Sequence, residues 1–212
     1  MSPDLDMPRR LLALEARVQQ LEDQSAIKKL TRCYGYYLDK ALWQEVLPLF
    51  TSDCRIEIGA LGIYVGQEGA ARLYCGVLGQ GPARGDERGL APGLLFNHQM
   101  LQGVVDVDAN ASSASGRWRV FMQLAEFGKS AAWGEGICNF GYRKEEDCWR
   151  ISSLRFYRTF QTPFDESWIT ARSWVGGVHP TQPPDLPGSH PADPYPGVHI
   201  PPFHYRNPVT GH

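Results

Sequence analysis

The chain has 212 residues, 42% of them hydrophobic and 21% charged, with a formal net charge of −2. That composition is globular, with room for one core and an elaborate tail. The near-neutral charge excludes a nucleic-acid binder that works by neutralising phosphates, because such a protein needs a basic face. No apolar run approaches the roughly 20 residues required to span a bilayer. The start, MSPDLDMPRRLLALEARVQQLEDQ, turns amphipathic and charged where a secretory leader is apolar, so a cytoplasmic protein is expected. Cys33, Cys54, Cys75, Cys138 and Cys148 are dispersed without a C-x-x-C pair, the pattern of buried, reduced thiols. Nucleotide-binding G-x-G-x-x-G and Walker loops, H-E-x-x-H and G-x-S-x-G are missing, which disfavours nucleotide cofactors, zinc peptidase chemistry and serine hydrolysis.

In chain order, Arg9 to about Lys40 carries a helical pattern. Leu11, Leu14, Val18 and Leu21 recur at three-to-four spacing with charges between them. A break at Glu22-Asp23-Gln24-Ser25 is expected to cap a second stretch carrying Ile27, Leu30, Tyr34, Tyr37 and Leu38. The first stretch is too short for a stable isolated coiled coil, so it is expected to pack on the domain or on a partner subunit. Ala41 to Phe50 reads as a short helix, and Arg55–Ile58 and Ile63–Val65 as short strands. Glu68 to about Leu78 reads as a third helix. Three or four long strands follow, over Leu95–Val107, Ser112–Glu126, Ala131–Lys144 and Cys148–Phe160. Their period-two alternation and polar turns mark a curved antiparallel sheet. Helices first and a long meander afterwards indicate an α+β fold with helices covering one face of the sheet.

From Thr162 the composition changes. Eleven of the 16 prolines and five of the six histidines fall in the last 51 residues. Such a segment cannot be regular helix or sheet throughout. It also keeps Phe164, Trp168, Trp174, Tyr195, Phe203 and Tyr205, so an ordered, mostly irregular arm around the domain or a neighbouring subunit is expected. The expected organisation is an N-terminal helical extension over 1–22, a domain over 23–161 and a Pro/His/aromatic-rich arm over 162–212.

Several local features resemble the SnoaL-like members of the nuclear transport factor 2-like (NTF2-like) superfamily. DQSAIKKLTRCYGYYLDKALWQEVLPLFTSDCRIEIG is similar to the family's opening, with Tyr34, Asp39, Trp43, Leu49-Phe50 and Asp53 as matching pieces. GIYVGQEGAARLY resembles its entry to the third helix. FNHQMLQGVVDVDANASSASGRWRV is similar to its strand–turn–strand, and DCWRISSLRF resembles its closing strand. The resemblance spans roughly residues 22–160 and implies an NTF2-like cone, with a cavity between a curved antiparallel sheet and N-terminal helices. In enzymes of that superfamily, such as scytalone dehydratase, bile-acid dehydratase and ketosteroid isomerase, the cavity holds a hydrophobic ring substrate and no cofactor is needed. Formaldehyde-lyases of lignin-derived diarylpropanes share that chemical style. The resemblance therefore implies a cofactor-independent lyase, a dehydratase or deformylating enzyme, acting on a hydrophobic ring-containing small molecule. A ring isomerase or cyclase, or a non-catalytic binding or dimerisation domain, is the alternative, and a homodimer or homotrimer is expected.

The candidate residues follow from chemistry and from that resemblance. Asp39 ends an aromatic-rich helix, at the unfavourable end of the macrodipole for a carboxylate, which suits proton transfer or the orienting of a histidine. His98 is the only histidine outside the tail and opens an apolar strand; it is either the acid–base partner of Asp39 or a core imidazole bonded to backbone. Tyr34, five residues before Asp39, is either a third catalytic group polarising a substrate oxygen or a core anchor. Tyr37, Trp133, Asn139, Arg155, Tyr157 and Arg158 are candidate substrate contacts. Alternation puts Arg155 and Tyr157 on one sheet face and Arg158 on the other, without deciding which is interior. His179, His190, His199, His204 and His212 have irregular, proline-interrupted spacings, so no metal site is expected.

Overall fold

The computed structural model describes residues 7–212; the first six residues of the expected 1–22 extension lie outside them. Helix α1 (Met7–Asp39) runs without the expected break. The Asp23 carboxylate that resembles a helix cap is instead buried, accepting bonds from Lys144 Nζ and Trp149 Nε1, both at 2.8 Å. A side chain taken up by two strands of the sheet has no capping role, so the helix continues. From there on one face of α1, with Ile27, Thr31, Tyr34 and Leu38, is buried.

After α1 the expected helix over 41–50 is shorter, α2 (Trp43–Val46) followed by a 3₁₀ turn over Leu47–Leu49 that contains Pro48. Strands β1 (Phe50–Ile58) and β2 (Ile63–Val65) lead into α3 (Gly66–Ala71), which widens into π-helical turns over Arg72–Leu78. A small hairpin, β3 (Gly85–Asp86) and β4 (Gly89–Leu90), precedes the long strands β5 (Leu94–Val107), β6 (Ser113–Glu126), β7 (Ser130–Glu145) and β8 (Cys148–Pro163).

The main sheet has the order β2-β1-β8-β7-β6-β5. It is mixed rather than purely antiparallel, because β1 lies parallel to β8, with Ile56 opposite Leu154 and Ile58 opposite Phe156. The two strands are far apart in sequence and joined through helices and the meander, the kind of connection a parallel pair requires. Register shifts between Leu101 and Val104, Glu135 and Gly136, and Gly141 and Tyr142 bend the strands. The sheet therefore curls, and α1 and α3 close its concave face. Gly35 brings α1 against β5: a Cβ there would stand 3.0 Å from Met100 Cγ.

Beyond β8 the arm has little regular structure, with one bridge joining Ile63 and Leu186. Its anchors are polar. Asp185 accepts from Val65 N at 2.8 Å and from Arg72 at 2.5 Å. Arg117 donates to the carbonyls of Pro201 (3.0 Å) and Pro202 (2.6 Å), with its guanidinium 4.1 Å from the centre of the Phe203 ring. The Pro201–Phe203 part of the arm thus lies over the outer face of the sheet, while Asp185 ties the arm to β2 and to the turns after α3. Among the described residues no helix is long and apolar enough to cross a membrane.

Candidate active site

A cavity of about 380 Å³ opens between the concave sheet face and the helices. Its wall is largely apolar, with Leu38, Phe96, Met100, Val120, Met122 and Phe156 among its residues. Polar groups interrupt it at few points: Tyr34 from α1, Tyr74 from the π-helical turns, His98 from β5, and Arg158 and Gln161 from β8. A concave apolar site with a few convergent polar groups is the usual form of a small-molecule pocket.

Asp39 and His98 meet at the edge of this cavity. The backbone N–H of His98 donates to Asp39 Oδ1 at 2.6 Å, and the same oxygen stands 3.5 Å from His98 Nδ1. Nδ1 is buried and has no hydrogen-bond partner in this geometry, with the Asp39 carboxylate 3.5 Å away. A carboxylate placed there favours the tautomer with a proton on Nδ1 and leaves Nε2 as the proton-accepting nitrogen. The imidazole lies 4.4 Å from the Phe96 ring, measured between ring centres. His98 also borders a surface cleft on the far side, which Asp39 lines together with Arg32, Tyr36 and Asn97. The pair therefore bridges the cavity and solvent, a path by which a proton taken from the cavity can be exchanged.

Tyr34 is buried and its hydroxyl is 2.9 Å from that of Tyr74. Burial pushes both phenols well above their ordinary value, so both remain hydrogen-bond donors. Tyr74 stacks on Trp43 with ring centres 5.8 Å apart, and π-helical turns of this kind recur at functional sites.

Arg158 settles the alternation left open by the sequence. It shares the cavity wall with Leu154 and Phe156, the other residues of its strand face. Its guanidinium carbon is 4.7 Å from the centre of the Trp174 ring, and Nη1 donates to Gln161 Oε1. Its Nε is shielded from solvent and donates to nothing. Among the described residues no carboxylate lies within ion-pairing distance of it, and burial pushes the guanidinium down to about 10.

The other candidates lie elsewhere. Arg155 and Tyr157 occupy the outer sheet face beneath the arm. There Arg155 Nε donates to the buried Glu57 at 2.7 Å, and Tyr157 packs on His190 and His199, ring centres 4.3 and 5.3 Å away. Asn139 is on the same face, accepting from Arg117 Nε at 3.0 Å and donating to Pro202 O at 3.1 Å. Trp133 stacks on Trp168, ring centres 4.8 Å apart, rather than on the cavity. Tyr37 packs against the core and does not line the cavity. Burial raises the Cys138 thiol, which argues against a thiolate on this wall. His204 Nε2 stands 3.2 Å from Asp106 and His190 Nδ1 3.1 Å from Glu57, contacts between the arm and the sheet in which burial lowers both imidazoles.

Tyr74 and Gln161 are not singled out by the sequence, and Trp174 is named there only as an aromatic residue of the arm. Tyr74 closes the GAARLY segment, and its one signal is being an aromatic residue on the helix that must face the sheet. Trp174 reaches the cavity because the arm runs back along β8, its backbone N–H donating to Gln161 O at 2.8 Å.

A curved mixed sheet, helices on its concave side and an apolar cavity between them define an NTF2-like cone. Within that class, residues 19–155 match the family model of the SnoaL-like domain, and the chain belongs to that family. No curated protein matches the chain in sequence. Solved structures share the fold. One is a provisionally named scytalone dehydratase from Novosphingobium aromaticivorans, with a TM-score of 0.58 and 17% identity over 77% of this chain and 99% of that one. A type 3 hexachlorocyclohexane dehydrochlorinase, LinA, from Novosphingobium barchaimii gives 0.59 and 18% over 76% and 99%. An NTF2-like protein with a cystatin-like fold from N. aromaticivorans gives 0.57 and 19% over 74% and 92%.

Proposed function

We propose that the protein is a cofactor-independent lyase that works by acid–base elimination on a hydrophobic, ring-containing molecule held in the cone. The observation that carries this reading is the His98 imidazole, set between the Asp39 carboxylate and the apolar cavity. Names borne by similar folds, a dehydratase and a dehydrochlorinase, support the reaction class.

In the proposed cycle Nε2 of His98 takes a proton from substrate, and Asp39 stabilises the imidazolium that results. For dehydration the proton comes from carbon, its electron pair forms the double bond, and the departing hydroxide receives a proton as water. For deformylation of a diarylpropanediol the proton comes from the terminal hydroxyl. The adjacent C–C bond then breaks to release formaldehyde, its electrons form the stilbene double bond, and the benzylic hydroxide again leaves as water. In both cases His98 returns the proton it took, so the chemistry balances without an oxidant or reductant. The Tyr34–Tyr74 hydroxyl pair and Arg158 are assigned to oxygen atoms of the substrate, the arginine to one that carries or gains negative charge.

Ring isomerisation would use the same base but would return the proton to another carbon. The lyase reading is preferred because Arg158 offers an unpaired cation to a charged or departing oxygen. Five unpaired cysteines support a reducing, cytoplasmic setting. The test is product analysis with purified protein on 1,2-diaryl-1,3-propanediols and on β-hydroxy aryl carbonyl compounds. Formaldehyde with a stilbene, or an enone with water, supports the reading. Double-bond migration without loss of a fragment supports the isomerase instead.

A further inference from the structure

The first sixteen described residues of α1, Met7 to Glu22, are all exposed, and the chain's own domain leaves their apolar stripe uncovered. Met7, Leu11, Leu14, Val18 and Leu21 are between 53% and 65% exposed and recur at alternating steps of four and three. At about 100° per residue, this stripe is rotated roughly half a turn from the face buried further along the same helix at Asp23, Ile27, Thr31 and Leu38. A second molecule can therefore lie along the stripe without meeting the domain behind it.

Written as a heptad, Leu11 and Val18 occupy the a positions and Met7, Leu14 and Leu21 the d positions. Arg10 and Arg17 then fall at g, and Glu15 and Glu22 at e. None of these four charges has an ion-pair partner within the chain, among the described residues. In a parallel, in-register pair each g residue faces the e residue five positions later on the other helix. That geometry sets Arg10 against Glu15 and Arg17 against Glu22 on both flanks of the seam. An antiparallel pair would bring arginine against arginine and glutamate against glutamate. The next a and d positions are Ser25 and Lys28, so the seam ends where α1 begins to dock on the sheet.

We infer that the N-terminal part of α1 is a parallel coiled-coil contact with a second copy of this chain. An isolated helix of this length is marginal in water. Here it is the free end of a 33-residue helix whose other half is anchored in the domain, which lowers the cost of ordering it. Val18 at a with Leu14 and Leu21 at d favours two strands over three or four.

The test is mild-oxidation cross-linking of the full chain with the exposed Cys148 replaced by serine. Leu14→Cys places a thiol at a d position, where an in-register pair brings it against its own copy. Ala16→Cys places one at f, on the far side of the helix. The proposal expects covalent dimer from Leu14→Cys at least tenfold faster than from Ala16→Cys. Adding Arg17→Glu to Leu14→Cys should slow dimer formation several-fold, and further adding Glu22→Arg should restore it. Equal rates from positions 14 and 16, or no cross-link from either, would overturn the pairing. Failure of the double charge reversal to restore the rate would overturn the parallel register. Circular dichroism and catalytic turnover check that the domain is intact, since these positions touch none of it.

Discussion

Replacing Arg158 with methionine removes a cation from the cavity wall while keeping much of its volume. Burial holds this guanidinium at about 10 against an ordinary 12.5. At 1.36 kcal/mol per tenfold change, that corresponds to about 3 kcal/mol of cost for keeping the charge in the folded protein. The sign follows from the depressed value. The cost is fully present below a pH of about 10, because the group is then protonated in both folded and unfolded chains, and it is relieved only at higher pH. The cation–π contact with Trp174 and the bond to Gln161 offset part of it, together about 1–2 kcal/mol. Arg158→Met is therefore expected to stabilise the empty protein at pH 7 by about 1–2 kcal/mol. For a chain of this size that raises Tm by roughly 3–6 °C. The same variant should lose the thermal shift that aryl carboxylates or phenolates give the parent protein. Differential scanning calorimetry with and without such a ligand reads both effects. A variant less stable than the parent, or one that keeps the ligand shift, would refute the assignment of Arg158 as an unpaired cation held for substrate.

Other consequences follow from the same geometry. Tyr34→Phe should cost about 1–3 kcal/mol, because it leaves the buried Tyr74 hydroxyl without its partner; the double variant with Tyr74→Phe should recover most of that loss in urea unfolding. At Glu57, burial works to raise the carboxyl, but bonds from the Ser189 backbone and hydroxyl and the charges of Arg155 and His190 hold it below its ordinary 4.5. Burial likewise holds His190 below 6.5. The lowered Glu57 value stabilises the docked arm above 4.5 and ceases to do so as the pH falls through the folded value. The lowered His190 value instead adds a cost as the pH falls through 6.5, where the free imidazole gains a proton that the docked one resists. Hydrogen exchange around Ser189, corrected for intrinsic rates, should therefore speed up progressively as the pH drops from about 6.5 to below 4.5. Glu57→Gln should show faster exchange already at pH 7. Val120→Trp should fill the cavity and abolish ligand binding while the far-ultraviolet spectrum stays unchanged, which equilibrium dialysis can check.

Much of the cone was legible in the sequence because its signals are local. Alternation along Arg117–Leu124 needs only neighbours to be read, as does the three-to-four spacing on α1. What escaped depended on tertiary partners. Asp23 lies in the Glu22–Ser25 stretch expected to cap a second helix, yet its carboxylate is taken up by Lys144 and Trp149, more than a hundred residues away. The parallel pairing of β1 with β8 is equally non-local. Asp39 and His98 could be paired by their positions in a family pattern, whereas their 3.5 Å approach needed coordinates. Arg155 and Arg158 differ only in parity along one strand, and parity shows its meaning once Phe156 is seen facing inward. Asn139 stands out as a polar residue in an apolar run and Tyr157 by its place where the last strand leaves the sheet; the arm that folds over them supplies their partners.

Proton transfer by His98, oriented by Asp39, is the step on which the proposed elimination rests. It is tested most directly by single-turnover kinetics of His98→Ala on whichever substrate the parent protein converts, with substrate binding measured in parallel. A fall of roughly a hundredfold or more in the chemical step is expected, with binding largely retained, since general acid–base catalysis contributes about 10²–10⁴. A variant that turns over within twofold of the parent would contradict it.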